Sequence, residues 1–175
     1  MHRCVGSEVR PRSINLAYFK DVTGRFGLAS RSALVSEADQ CSVGLSWQDL
    51  VRVADAADLL VNISGHLALA TLKSRFRKRV FIDLDPGYTQ HWHRAGLAED
   101  KLQDHGYYFT VGENVGRPGC TVLTSDIPWR PIRQPVVLDE WPVSTDAAHP
   151  RFTTVASWRG PYGRVTHGRP RAHSG

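Results

Sequence analysis

Asp58-Leu-Leu-Val-Asn-Ile-Ser-Gly-His66 and, after a short connector, Arg79-Val-Phe-Ile-Asp-Leu-Asp-Pro-Gly-Tyr-Thr-Gln-His-Trp92 decide the reading of the fold. Each contains a run of five mostly apolar residues, at 59–63 and 80–84, rich in Leu, Val, Ile and Phe. Neither run alternates strictly with polar residues, which suits strands buried on both faces of a parallel sheet. Polar and turn residues follow directly: Ser64-Gly65-His66 after the first run, Asp85-Pro86-Gly87 after the second. Between the runs, residues 65–75 read as a crossover helix. Strand, helix and strand within about 30 residues make a βαβ unit. In open α/β sheets, ligands bind at the carboxyl ends of the strands. Any working surface is therefore expected near Ser64, Asp83 and Gly112.

Working outward, residues 14–26 carry apolar positions at helical spacing, and 27–36 read as a second short helix before a polar loop to Cys41. Ser46-Trp-Gln-Asp49 has the form of a capping box with Asp in place of Glu. It predicts a helix whose buried face holds Leu50, Val51, Val53, Ala54 and Ala57. Beyond Gly87, helices are expected over 88–97 and 98–105, and a strand over 107–111, where Tyr-Tyr-Phe-Thr-Val is aromatic and β-branched. Short strands are expected at 121–123 and 152–156. Residues 126–138 are punctuated by prolines that forbid a regular helix. The expected architecture is α/β: a Rossmann-like parallel sheet with flanking helices over 14–158, then a disordered basic tail over 159–175.

At 175 residues the chain is most simply one domain. Cys4, Cys41 and Cys120 are scattered, without a Cys-x-x-Cys pair, so neither a disulfide framework nor a zinc site is expected. The apolar runs are too short to span a bilayer, and the first residues lack a secretory core, which makes the cytoplasm the expected location. The net charge of +5 points away from nucleic acid once it is located. Four arginines (159, 164, 169 and 171) lie in the tail, and removing them leaves +1 for residues 1–158. The remaining basic cluster, Lys73-Ser-Arg-Phe-Arg-Lys-Arg79, reads as a solvated helix end and turn.

The sharpest local signal is Asp83-Leu-Asp85. Residues two apart in a strand point the same way, so both carboxylates would project together. Such a pair suits a divalent cation or acid–base work, but the commoner reading is a turn with Asp83 holding backbone donors. Partition ATPases of the deviant P-loop type carry a similar strand, yet no Gly-Lys-Ser/Thr phosphate loop stands upstream here. Haloacid-dehalogenase-type phosphatases place their Asp-x-Asp near the domain start, and Pro86-Gly87 interrupts their pattern. His66 sits at a βα turn, either as a general base or as a surface histidine. Glu113 and Asn114 follow the strand at 107–111. Trp92 is a candidate for substrate stacking or packing, and His91 and His93 do not share a helix face for a metal. Trp129-Arg130 and Trp158-Arg159 are repeated Trp-Arg pairs suited to stacking or phosphate contact, although packing at a rim is the commoner reading.

The run 81–92, together with His105-Gly-Tyr-Tyr-Phe-Thr-Val-Gly-Glu-Asn-Val-Gly116, Ile127-Pro-Trp-Arg-Pro-Ile-Arg-Gln-Pro-Val-Val-Leu138 and Phe152-Thr-Thr-Val-Ala-Ser-Trp-Arg159, resembles bacterial glycosyltransferase-like proteins of the two-Rossmann-domain (GT-B) architecture. The resemblance covers residues 15–159 and implies an amino-terminal, acceptor-side domain. It implies a nucleotide-sugar donor and an acceptor of unknown identity; no metal or other cofactor is expected. His66, Asp83 and Asp85 would then supply the catalytic wall, with His66 or Asp85 preferred as the base. Glu113, Asn114, Trp92, Arg130 and Arg133 would contact substrate. Two departures stand out: no opening strand and glycine turn precede Ile14, and the chain stops where a donor-binding domain would begin. The expectation is a truncated chain, inactive by itself. The alternatives are a non-catalytic Rossmann-like module or degenerate fragment, and a metal-dependent phosphoryl-transfer protein resting on Asp83 and Asp85 alone.

Overall fold

A computed structural model describes residues 14–36, 41–143 and 154. The protein is mixed α/β, with a four-stranded parallel sheet flanked by helices. The sheet contains β3 (Leu59–Ile63), β4 (Lys78–Asp83), β5 (Tyr107–Thr110) and β6 (Trp129–Pro131), in that spatial order. The chain divides into two compact units, one comprising residues up to 81 with 104–106, the other 82–103 with the residues from 107 onward.

The first unit begins with α1 (Ile14–Arg25), where the sequence places a helix. Next come β1 (Ala33–Ser36) and β2 (Cys41–Gly44), paired antiparallel from Ala33↔Gly44 to Ser36↔Cys41. This hairpin replaces the short helix expected over 27–36. Its closure requires Gly44, which has φ +99°, and a Cβ there would lie 2.2 Å from the Ser32 carbonyl oxygen. Helix α2 (Trp47–Ala56) begins as the sequence predicts: the Ser46 hydroxyl accepts from the Asp49 N–H at 3.1 Å, and the Asp49 carboxylate accepts from the Ser46 N–H at 3.3 Å. Of the expected buried face only Ala54 is fully buried, while Val53 is exposed.

The crossover between β3 and β4 is mostly irregular, with helix only over α3 (Ala70–Lys73). Asn62 explains the late start. Its side-chain amide accepts from the Leu67 N–H and donates to the Leu67 carbonyl, each at 3.0 Å, so these groups are not free to open a helix. Ser64 and Gly65 both have positive φ, turning the chain sharply before that clamp. Asn62 Nδ2 also lies 3.1 Å from His105 Nε2. Because Leu67 fixes the amide orientation, Nδ2 donates and Nε2 of His105 is the unprotonated nitrogen. Phe81 packs edge-on against the His105 ring at 5.4 Å.

The basic cluster of this unit is engaged within the unit rather than simply solvated, and Lys73, expected at a solvated helix end, is buried. Arg75 pairs with Asp55 at 2.8 Å, Arg77 with Asp58 at 3.0 Å and Lys73 with Asp104 at 3.5 Å. The Arg79 guanidinium donates to the carbonyls of Asp104 and, at 3.2 Å, Phe76.

The second unit contains α4 (Tyr88–Arg94), α5 (Glu99–Leu102), β5 and β6. Strand β6 falls inside the proline-punctuated segment, and no strand forms at 121–123. Pro131 is tolerated because β6 stands at the sheet edge, where its missing N–H breaks no ladder. β5 and β6 run parallel, with Tyr108↔Trp129, Phe109↔Arg130 and Thr110↔Pro131 as partners. Tyr108 and Trp129 meet edge to face at 5.7 Å. Ala98, Leu102, Val115 and Trp129 form the apolar core here. The expected tail at 159–175 lies outside the described residues, as does the strand expected at 152–156 apart from Thr154. Among the described residues, no helix is long and apolar enough to cross a membrane.

Candidate functional site

The second unit assembles its carboxyl-edge loops around Asp83, the last residue of β4 and fully buried. An unpartnered carboxylate in that position would be strongly disfavoured. Here both oxygens are saturated. Oδ1 accepts from the Asp85 N–H at 2.9 Å and the Thr89 hydroxyl at 2.6 Å. Oδ2 accepts from Gln90 Nε2 at 2.9 Å and the Thr110 hydroxyl at 2.8 Å. One carboxylate thus ties the end of β4 to its own following turn, to α4 and to the end of β5.

Gln90 extends the network. While Nε2 donates to Asp83, Oε1 accepts from the Gly87 N–H at 2.6 Å and so satisfies an orphan donor at the start of α4. Gly87 holds φ +95°, the left-handed geometry that lets the chain turn from Pro86 into the helix. On β5, the Thr110 hydroxyl also accepts from the Gly112 N–H at 3.1 Å, and the Val111 N–H donates to the Asp83 carbonyl at 3.1 Å. The loops after β4 and β5 are in close approach. A Cβ at Gly112 would lie 2.7 Å from Pro86 Cβ and 2.7 Å from Val115 Cγ2.

The two aspartates of the Asp-x-Asp signal have separate environments. β4 ends at Asp83, so Asp85 lies beyond the strand and the two-residue alternation does not reach it. Asp85 is exposed, and its carboxylate has no hydrogen bond or ion pair among the described residues. Asp83 would have to release existing donors to ligate a metal or accept a proton from a substrate. Among the described residues, no group of three or more His, Cys, Asp or Glu side chains is placed to hold a metal ion.

Glu113 and Asn114 are exposed on the loop after β5, and Arg130 on β6 and Arg133 just beyond it are exposed as well. Arg133 Nε lies 3.8 Å from Glu113 Oε1, a loose pair in solvent that contributes about 0–1 kcal/mol and leaves both groups open to a ligand. Asp85, Glu113 and Arg133 thus follow the ends of three neighbouring strands. Trp92 lies on α4, its ring 5.6 Å from that of Tyr88. His93 on the same helix has its Nδ1 buried with no hydrogen-bond partner among the described residues. His66 belongs to the first unit. It is exposed on the turn after β3, its N–H donating to the Ile63 carbonyl at 3.2 Å.

Sequence reasoning did not single out Thr89, Gln90 or Thr110. The available signal was a buried acid that needs donors, with Thr and Gln six and seven residues downstream and a Thr ending an aromatic strand. No protein-family model matches the chain, and no curated protein or solved structure shows significant similarity to it.

Proposed function

We propose that the edge carrying Asp85, Glu113, Asn114, Arg130 and Arg133 is a binding wall for a polyhydroxylated ligand, on the acceptor side of a glycosyltransferase-like protein of GT-B architecture. The supporting observation is the division of labour between the two aspartates. Asp83 is saturated and buried and holds the loops, leaving Asp85 exposed and, among the described residues, unpartnered. Carboxylates and amides arranged this way can accept from and donate to sugar hydroxyls, and on this reading Asp85 is the general base on an acceptor hydroxyl. Arg130 and Arg133 would meet the charge of a departing nucleoside diphosphate. His66 is the second candidate base, on the edge of its own unit.

Calorimetric titration of the folded chain with UDP- and GDP-sugars and with simple glycosides tests the reading. Heat of binding that falls at least tenfold in Asp85→Asn and Glu113→Gln supports it. No heat from a folded sample supports the second reading, a non-catalytic Rossmann-like module. That second reading is favoured by one observation: the most buried acid of the edge has only structural partners. His66→Ala in the same titration, and in a transfer assay, decides whether that histidine belongs to the mechanism.

A further inference from the structure

We infer that the chain associates with a second copy of itself, with α1 of each copy covering the apolar stripe of β3 in the other. Parallel strands in α/β proteins are ordinarily covered on both faces. On β3, Asn62 faces inward and is buried, while Leu59, Val61 and Ile63 share the opposite face and remain 45, 47 and 48% exposed. β3 also stands at the edge of its sheet. Its sequence has none of the lysines or prolines that usually protect an edge.

The same unit carries a complementary helix surface. α1 docks through Leu16 and Thr23, which are buried, and turns Ile14, Tyr18 and, just past its end, Phe26 outward, exposed by 85, 70 and 64%. A helix of twelve residues spans about 18 Å and a strand of five about 17 Å, so one stripe lies along the other. At these exposures the six side chains present roughly 700 Å² per copy. A reciprocal two-fold pair would then bury about 1,400 Å², within the ~1,200–2,000 Å² typical of stable interfaces.

Charge sets the direction. With the helix antiparallel to the strand, Arg25 at the end of α1 reaches Asp58 of the second copy, just before its β3. Arg25 lies over the Phe26 ring at 5.9 Å, held on this side of the helix. Among the described residues, Asp58 is bound only by an exposed pair with Arg77, which is weak and leaves the carboxylate available.

Sedimentation velocity of the full chain, from about micromolar to about millimolar concentration, tests this. The expected result is a concentration-dependent doubling of mass. Tyr18→Glu, Arg25→Asp and Asp58→Arg should each weaken association at least tenfold. All three positions are exposed, so folding is not at stake. The double variant Arg25→Asp with Asp58→Arg should recover most of the loss. A monomer throughout, a dimer indifferent to Tyr18→Glu, or a double variant no better than the singles would overturn the inference.

Discussion

The hydroxyl of Thr110, at the end of β5, donates a 2.8 Å hydrogen bond to the buried carboxylate of Asp83, at the end of β4. Of the four bonds Asp83 accepts, this one joins the two strands directly through their side chains, and it sets the spacing of the loops that follow. Thr110→Val keeps the shape and removes the donor to an ionised acceptor, which should cost about 1.5–3 kcal/mol. Thr110→Ser should restore most of that. Asp83→Asn should cost more, since the new amide must turn its NH₂ toward groups that are themselves donors. Urea denaturation of the three variants at neutral pH checks the order.

Asn62 performs the corresponding task in the first unit, with its amide shared among Leu67 and His105. Asn62→Leu removes every one of those partners and leaves the Leu67 N–H and carbonyl unpaired. A loss of roughly 1–3 kcal/mol per buried group left unsatisfied is expected. Amide hydrogen exchange should show the loosening concentrated at Leu67, while the protection of Thr110 stays unchanged.

Gly112 is required by proximity rather than by conformation. Gly112→Ala puts a methyl group 2.7 Å from both Pro86 and Val115, so the two loops must separate. Overpacking of this kind costs about 1–3 kcal/mol. Gly119→Ala provides a contrasting control, since its Cβ would meet nothing and only its positive φ of +84° opposes the change. Thermal denaturation should therefore place Gly112→Ala at a lower midpoint, accompanied by weaker ligand binding.

The start of α2 makes stability depend on acidity in a defined direction. The Ser46 hydroxyl beside Asp49 holds its carboxyl below the ordinary value of 3.8, with the Ser46 N–H and Arg52 adding to the effect. A group whose value is lowered on folding contributes fully above its unfolded value and loses that contribution as pH falls through its folded one. The stability difference between the wild type and Asp49→Asn should be flat from neutrality down to about pH 5, then narrow below pH 4. Chemical denaturation at several pH values checks this, and a difference that widens on acidification would contradict it.

The parallel strands at β3, β4 and β5 were legible because five-residue apolar runs bounded by Ser-Gly, Asp-Pro-Gly and Val-Gly leave few other structures open. The start of α2 was legible because Ser46 and Asp49 carry their own capping chemistry. Other features depended on particular side-chain and backbone contacts that periodicity does not report. The hairpin of β1 and β2 depends on Gly44 tolerating the Ser32 carbonyl, which no local pattern announces. The short α3 depends on Asn62 holding Leu67, and β6 on an edge position that excuses Pro131. At the site, the spacing of Asp83 and Asp85 suggested a matched pair. The end of the strand between them makes one an anchor and leaves the other free, a distinction that depends on Thr89, Gln90 and Thr110 arriving from elsewhere.

The central claim is that Asp83 locks the loops after β4 and β5 so that Asp85 and Glu113 together meet a sugar-bearing ligand. Two-dimensional amide NMR during titration with UDP- and GDP-sugars and simple glycosides addresses it residue by residue. The account predicts saturable shifts clustered at residues 85–87 and 112–114, reduced in Asp85→Asn and lost when Asp83→Asn loosens the loops of a still-folded chain. A folded wild-type protein whose amides at those positions stay unmoved by every ligand, or move equally in Asp83→Asn, would contradict it.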